Sequence, residues 1–219
     1  MSNLNQKCFD QIFEAILNHR LEPGTRLSEE KLASIYQVSR SVIRRTLQRL
    51  AHEGIVDIRP NVGARVNKID AGEARHILEA RKMLECGLVE KLAGRLSPSH
   101  VSDLMGLCRN EQNAMSDNDP ARALRYSTEF HLHLVRLVGN PLLEQFAVNL
   151  LSRSSLAVAC LGRSRPEHCP HDDHPELVNA LKTGDCETAR DLMKAHIDHI
   201  EANLDYEPGN LTELEAILG

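Results

Sequence analysis

Apolar residues recur at helical spacing along the first fifty residues of the chain. This spacing predicts a helix over 4–18, a short helix of about two turns after the N-cap Ser28, and a third helix over 40–53 that ends at Gly54. The pattern then changes to alternation, which predicts two short strands joined by a turn at 60–63. Three helices and a hairpin, with a three-residue turn between the second and third helices, are typical of a winged helix-turn-helix.

The rest of the chain follows a polar connector at 67–75 and is predicted to be helical throughout. Helices are predicted over 71–94, 97–117, 119–138, 140–161, 172–183 and 185–204, a loop over 162–169, and a short helix at 211–218. The predicted fold is therefore mostly α. It has a winged helix-turn-helix domain at 1–68, a linker at 69–75 and an all-α bundle at 76–219.

Composition and charge narrow the function classes. Hydrophobic residues make up 42% of the chain and charged residues 26%, which excludes wholesale disorder. We find no apolar stretch of membrane-spanning length, no signal-peptide core and no CxxC pair among six cysteines, so we expect a cytoplasmic protein with reduced thiols and no membrane partner. The net charge of −5 divides into +4 over 1–68 and −9 over 69–219. This asymmetry favours a polyanion as the partner of the first part, although a chance distribution of surface charge would give the same numbers.

The third predicted helix has an apolar face and a basic face. The outward face carries Arg40, Ser41, Arg44, Arg45, Gln48 and Arg49, and the opposite face carries Val42, Ile43, Thr46, Leu47 and Leu50. Guanidinium groups suit phosphate oxygens and the edge of guanine, and a helix of this width fits the major groove. A basic face can also be merely solvated, but the preceding turn and the following hairpin favour a recognition helix.

The segment 21–66 resembles the winged-helix domain of the GntR family of bacterial transcription regulators. The resemblance rests on PGTRLSE, on VSR before the recognition helix, on IRRTL and on RPNVGARV. It implies that Arg40 and Arg44 contact bases, that Ser39 and Ser41 contact phosphates, and that the wing at Asn61 and Gly63 enters the minor groove. Two further residues, Arg45 and Gln48, complete the expected DNA-binding set. The family commonly has Pro at position 42 and Glu at position 45, where this chain has Val and Arg.

The second part resembles the FCD effector domain of the FadR subfamily. The matching segments are LEARKMLECGLVEKLAGR at 78–95, FHLHLVRLVGNPLLEQF at 130–146 and DHPELVNALKTGDCETARDLMKAHI at 173–197. Such domains are dimeric bundles of six or seven helices, and they often hold a metal on one Asp and three His beside a carboxylate ligand.

Three histidines match the ligand positions of that family. His131 and His196 lie on the apolar faces of their helices, and His174 lies at a helix start. A single inward His is more often a core residue, but three at family positions favour a ligand set. The family's Asp is replaced by Ser127, a poor ligand for Zn²⁺, Ni²⁺ or Mn²⁺, and Glu129 faces away. We therefore expect metal binding to be weak or absent, or a three-His site completed by water or by the effector.

The expected effector site contains Arg81, Ser127, His131, His174 and His196. Arg81 matches a cavity-facing family position from which a guanidinium could clamp a carboxylate, although a solvated or salt-bridged Arg on a long helix is an equal alternative. We expect His133 to lie on the surface, and we do not expect the cluster at 168–173 to form a second metal site.

The sequence thus predicts a homodimeric regulator that binds operator DNA and is released by a small carboxylate-type metabolite. Two alternatives stay open, a metal-responsive regulator and, on weaker grounds, a metalloenzyme. The second lacks support because the chain has no HExxH motif, phosphate loop or nucleophile elbow.

Overall fold

The computed structural model describes residues 3–18, 20–162 and 173–206. In chain order they form α1 (Asn3–Leu17), β1 (Arg26–Leu27), α2 (Glu29–Tyr36), α3 (Arg40–His52), β2 (Val56–Arg59), β3 (Gly63–Val66), α4 (Ala71–Leu92), α5 (Pro98–Ser116), α6 (Pro120–Leu137), α7 (Pro141–Leu161), α8 (Asp173–Thr183) and α9 (Cys186–Ala202). The mostly helical architecture with a small wing is confirmed. The predicted helix at 211–218, most of the predicted loop at 162–169 and most of the cluster at 168–173 lie outside the described residues.

The helix starts follow from residues that satisfy free backbone N–H groups. The side chain of Asp119 accepts a hydrogen bond from the backbone N–H of Arg122 (3.0 Å), and that of Asn140 accepts one from the N–H of Leu142 (3.1 Å). A proline follows each of these caps, where its missing N–H costs nothing. Helix α4 begins at Ala71 under the cap Asp70, so the second half of the predicted linker is helical.

The wing is a three-stranded sheet and not the two-stranded hairpin predicted from the sequence. Its strand order is β1-β3-β2, with Val56 opposite Val66 and Leu27 opposite Ala64. The extra strand, β1, has only two residues, which is too short to produce an alternating pattern. It forms because the backbone just before it pairs with the end of β3, where the N–H of Gly24 donates to the carbonyl oxygen of Val66 (2.8 Å) and the N–H of Val66 donates to that of Thr25 (2.9 Å).

The two predicted regions share one continuous apolar core. Buried side chains extend from Ile12 in α1 and Leu50 in α3 to Phe130 in α6 and Leu177 in α8. Helix α7 also contacts the end of α3 through hydrogen bonds. The Nδ2 of Asn149 donates to the carbonyl oxygen of His52 (2.9 Å). One turn further along α7, Oγ of Ser152 donates to Oε2 of Glu53 (2.9 Å).

Candidate functional site

Helix α3 presents the two faces that the sequence predicted. The side chains of Val42, Ile43, Thr46, Leu47 and Leu50 are buried, whereas those of Arg40, Ser41, Arg44, Arg45 and Gln48 are exposed. Arg49 is the exception, because its guanidinium lies over the ring of Phe9 and donates hydrogen bonds to Glu53 (3.0 Å) and Gln6 (2.6 Å). The outward assignment of Arg49 was therefore wrong, since this residue anchors α3 to α1.

Arg44 is held by a carboxylate from the preceding helix. Its Nε donates to Oε1 of Glu29 (3.0 Å) and its Nη2 donates to Oε2 (2.8 Å). The hydrogen bond from Arg44 lowers the pKa of Glu29, so this carboxylate is charged at neutral pH. The Arg44 side chain is still 59% exposed. Sequence reasoning missed Glu29 because the two residues are fifteen positions apart.

The exposed face of α3 and the wing line one depression of about 440 Å³. Arg40, Arg44 and Gln48 contribute from the helix and Gly63 from the wing, beside Arg26 and Glu29. The wing turn depends on left-handed backbone at Asn61 (φ 62°) and Gly63 (φ 91°). Ser39 and Ser41 lie exposed at the start of α3, with their hydroxyl oxygens 2.8 Å apart. Four of the eight predicted DNA-contact residues therefore line this depression, and the roles of all eight stay predictions.

Three histidine side chains meet inside the bundle of α4–α9. His131 of α6, His174 of α8 and His196 of α9 are 2%, 5% and 7% exposed, so the inward orientation predicted for His131 and His196 is confirmed. Each ring offers one nitrogen within 4.8 Å of the other two. The Nε2 atoms of His131 and His196 are 3.1 Å apart, and the ring of Phe130 stacks on that of His174 at 4.2 Å between centroids.

A buried carboxylate on α4 holds the first of these rings. Oε2 of Glu85 lies 2.5 Å from Nδ1 of His131, and Oε1 of Glu85 accepts a hydrogen bond from Nε of Arg81 (2.6 Å). Burial alone would raise the pKa of Glu85, but the charge of Arg81 and the hydrogen-bonding contacts with His131 and Arg81 outweigh burial and lower it to about 2. Glu85 is therefore ionised at neutral pH.

The imidazoles of His131 and His196 are neutral at physiological pH. Burial lowers the pKa of His131 to about 4, against the opposing effect of Glu85. Burial also lowers the pKa of His196 well below its usual value, and the neighbouring rings of His174 and His131 lower it further. Neutral imidazole is the form that binds a metal ion.

The outer nitrogens of the other two rings also face carboxylates. Nδ1 of His174 is 2.7 Å from Oε2 of Glu111, and Nδ1 of His196 is 3.8 Å from Oδ2 of Asp173. Within the described part of the chain, the buried Nε2 of His174 has no hydrogen-bond partner. Three imidazole nitrogens that converge in a buried space, one of them without a hydrogen-bond partner among the described residues, fit the donor set of a divalent transition metal.

Arg81 lies beside this site and is 4% exposed. Its Nη1 donates to Oγ of Ser154 on α7 (2.8 Å), and its buried Nη2 has no hydrogen-bond partner among the residues described. Because Glu85 already occupies the Nε edge, only Nη2 is available to a ligand carboxylate. Arg81 is therefore not solvated, but the salt-bridged alternative predicted for it is present in its pair with Glu85. Ser127 is half-buried on α6, one turn before His131.

Sequence reasoning missed the carboxylates around the histidines. Of these carboxylates, only Glu85 could have been found from the sequence, since it follows Arg81 by four positions and so shares its helix face.

The expectation that His133 lies on the surface was also wrong, because this residue is half-buried and its Nε2 is closed to solvent. Among the described residues, no helix is both long enough and apolar enough to cross a bilayer.

Comparison with known proteins gives the family. The model of the gntR family of bacterial regulatory proteins matches residues 4–66, and the FCD domain model matches residues 76–199. An HTH-type transcriptional regulator in an unstable DNA locus of Streptomyces ambofaciens is 28% identical over 193 residues, which cover 84% of this chain and 78% of that protein. The HTH-type transcriptional repressor RspR of Escherichia coli K12 is 23% identical over 202 residues, which cover 92% and 89%.

Solved structures share the fold. Escherichia coli McbR/YncC superposes with a TM-score of 0.77 at 21% identity, over 92% of this chain and 97% of that one. A GntR transcriptional regulator from Rhodococcus sp. RHA1 gives 0.74 at 22% identity, over 90% and 95%. The family and these relatives are transcriptional regulators and not enzymes, which removes the metalloenzyme alternative. With both domain models matched in order along its length, the chain belongs to the GntR family of bacterial transcriptional regulators and carries an FCD domain after its DNA-binding domain.

Proposed function

We propose that this regulator is a repressor that binds a near-palindromic operator as a homodimer and is released by a small organic acid held at the three-histidine site. The observation that carries the proposal is the convergence of His131, His174 and His196 beside a buried Arg81 that retains an unpartnered Nη2. Buried polar groups from separate helices of a bundle are the usual setting for a metal or polar ligand.

On the DNA side, two copies of α3 enter successive major grooves. Arg40 and Arg44 read base edges, and Arg45 and Gln48 lie on the same exposed face. The hydroxyls of Ser39 and Ser41 bind phosphates, and the wing at Asn61 and Gly63 enters the minor groove. Effector binding favours a dimer geometry in which the helix spacing no longer matches the half-sites.

On the sensing side, His131, His174 and His196 would hold a divalent transition metal such as Zn²⁺, Ni²⁺ or Mn²⁺. When bound, such an ion would supply a positive centre with an open position for a carboxylate. Because Ser127 stands in place of the family's Asp, we expect weaker binding than in a site with three His and one Asp. Nη2 of Arg81 is the free donor that would orient the acid.

The dimer surface is proposed on α4 and α7. We define the α4–α7 face by the exposed apolar side chains of Met83 (73% exposed), Leu142 (65%) and Phe146 (71%). Helices α4 and α7 pack against each other, so these side chains belong to adjacent elements. Large exposed apolar side chains on adjacent elements are typical of protein–protein interfaces.

A metal-responsive regulator is the second candidate. The three imidazoles are at most 7% exposed, and such a closed site suits a single ion at least as well as an organic acid. In this case the metal itself changes the affinity for DNA.

One experiment tests both candidates. An operator is selected from random duplex DNA with the purified protein, and affinity is then measured by fluorescence anisotropy with Zn²⁺ alone, with a panel of small mono- and dicarboxylates, and with both. Release that requires an acid supports the organic-acid repressor, and release by Zn²⁺ alone supports the metal sensor. Failure to select any DNA sequence would contradict the operator proposal, and unchanged affinity under every condition would contradict both modes of release.

A further inference from the structure

Each histidine of the site has a carboxylate of its own on the side away from the other rings. Glu85 faces His131 at 2.5 Å, Glu111 faces His174 at 2.7 Å, and the third pair, Asp173 and His196, is 3.8 Å apart. The three acidic residues come from α4, α5 and α8, so the arrangement does not result from one acidic stretch of sequence.

A carboxylate in this position acts on the ring in two ways. It favours a proton on the outer nitrogen, which leaves a lone pair on the inner nitrogen, and it makes that inner nitrogen a stronger donor. Nδ1 of His174 is the atom that meets Glu111, while its Nε2 is buried and has no hydrogen-bond partner in the described ranges. The geometry of this ring is therefore that of a ligand whose orientation is already fixed.

The formal charges of the groups behind the rings are mostly negative. Glu85, Glu111 and Asp173 contribute −3 in their ionised forms, and Arg81, which pairs with Glu85, contributes +1. These four groups, all in the described part of the chain, carry a net formal charge of −2, which equals in magnitude the charge of one divalent cation. Burial makes this balance important, because an uncompensated charge in a low-dielectric interior is strongly disfavoured.

We infer that Glu85, Glu111 and Asp173, which face the outer nitrogens of the three imidazoles, supply the negative charge that allows these rings to hold a divalent cation although position 127 is a serine. This inference rests on the proposed metal site and concerns what stabilises it. In a site with an Asp ligand, part of the compensating charge lies on the ligand itself. In this chain all of it lies behind the histidines, so Glu85 and Glu111 are positioning residues and the coordination position near Ser127 is left for an exogenous ligand.

The test measures the Zn²⁺ affinity of the full-length protein by competition with a chromogenic chelator. Glu85→Gln and Glu111→Gln each keep the size of the side chain and remove its charge, and each is expected to weaken Zn²⁺ binding by roughly 10- to 100-fold. Glu129→Gln is the matched control, because Glu129 is on α6 near His131 but is exposed and pairs with Arg136. Its Zn²⁺ affinity is expected to stay within about twofold of the wild type, which is the ordinary effect of a distant surface charge.

Two further measurements separate this inference from the proposed metal site. The absorption spectrum of bound Co²⁺ should be the same in the wild type and in both Gln variants, because the ligands are unchanged. His131→Ala should abolish binding, and if the wild type binds no Zn²⁺ or this variant binds it equally well, the proposed site itself is wrong. Binding that depends on His131 but is as tight in Glu111→Gln as in the wild type overturns the inference and leaves the site intact. If circular dichroism shows that Glu85→Gln does not fold, the Glu111→Gln variant alone tests the inference, because Glu111 is 23% exposed and we expect the protein to fold with glutamine there.

Discussion

The guanidinium of Arg44 on α3 is held in one orientation by Glu29 in the DNA-free protein. Its two hydrogen bonds to Glu29 fix the plane of the guanidinium, while most of the side chain stays in solvent. An exposed ion pair of this kind is readily exchanged for other partners because water and salt screen it. Glu29 therefore orients Arg44 without preventing it from turning to a guanine edge.

Replacing Arg44 by Ala should weaken operator binding by roughly 5- to 150-fold and relax discrimination at one base pair in each half-site. The reason is the loss of a two-pronged donor that matches guanine O6 and N7. Fluorescence anisotropy against the selected operator and its single-base variants measures both effects. Arg109→Ala removes the same charge from an exposed position on α5 and should leave discrimination unchanged. Equal discrimination in Arg44→Ala and the wild type would contradict the proposed role.

At this scale the sequence predicted residue types better than residue partners. The burial of His131 and His196 follows from helical periodicity, which is a local property. The contact between Glu85 and His131 depends instead on how α4 and α6 are placed against each other, over forty-six positions of sequence. No pattern along one helix contains that information, and the same is true of the pair formed by Glu29 and Arg44.

Helix α7 is the element that joins the two functional regions. Oγ of its Ser152 donates to Oε2 of Glu53 at the end of the recognition helix (2.9 Å), and Glu53 also holds Arg49. Two positions later, Ser154 accepts a hydrogen bond from Arg81 beside the histidines. One short stretch of helix therefore contacts both the end of α3 and the arginine beside the three histidines.

The substitution Ser152→Ala should lower the free energy of unfolding by about 1.5–3 kcal/mol, the range for a hydrogen bond to a charged group. Glu53 is 5% exposed, so water replaces the lost donor poorly. Urea denaturation followed by circular dichroism gives the value, and Ser102→Ala, at an exposed position on α5, provides the control. A loss of stability no larger than that of the control would show that this contact is not formed in solution.

Helix boundaries were the most predictable feature at the scale of elements. The caps at Ser97, Asp119 and Asn140 are each followed by Pro, and each marks the start of a helix to within one residue. Strand β1 could not be predicted, because two residues carry no periodicity and their pairing depends on β3. A strand this short, which forms only by pairing with another strand, cannot be recognised from the pattern of a single sequence.

At the scale of the whole molecule, the basic and acidic net charges lie in different regions of the chain. The region up to residue 68 carries a net charge of +4 and the remainder −9, which orients the protein towards DNA through its wing and α3. The α4–α7 face lies in the acidic remainder, so self-association through it leaves the basic surfaces free.

Phe146→Glu should convert the proposed homodimer to a monomer. In a twofold interface each substitution acts twice and removes two buried aromatic side chains, so the dimer dissociation constant should rise at least about 100-fold. Sedimentation equilibrium measures this change. Ile35→Glu places the same charge on an equally exposed apolar position of α2 and should not affect association. A dimer of unchanged affinity in Phe146→Glu would exclude the α4–α7 face.

Gly54 stands at the junction of these parts, between the recognition helix and the wing. Its backbone is left-handed (φ 74°), and a Cβ atom there would lie 2.7 Å from Cδ of Arg153 on α7. Even a methyl group would therefore strain the turn and displace the Arg153 side chain. The absence of a side chain at position 54 thus permits the close approach of the turn between α3 and β2 to α7, and with it the contact between the DNA-binding domain and the FCD domain.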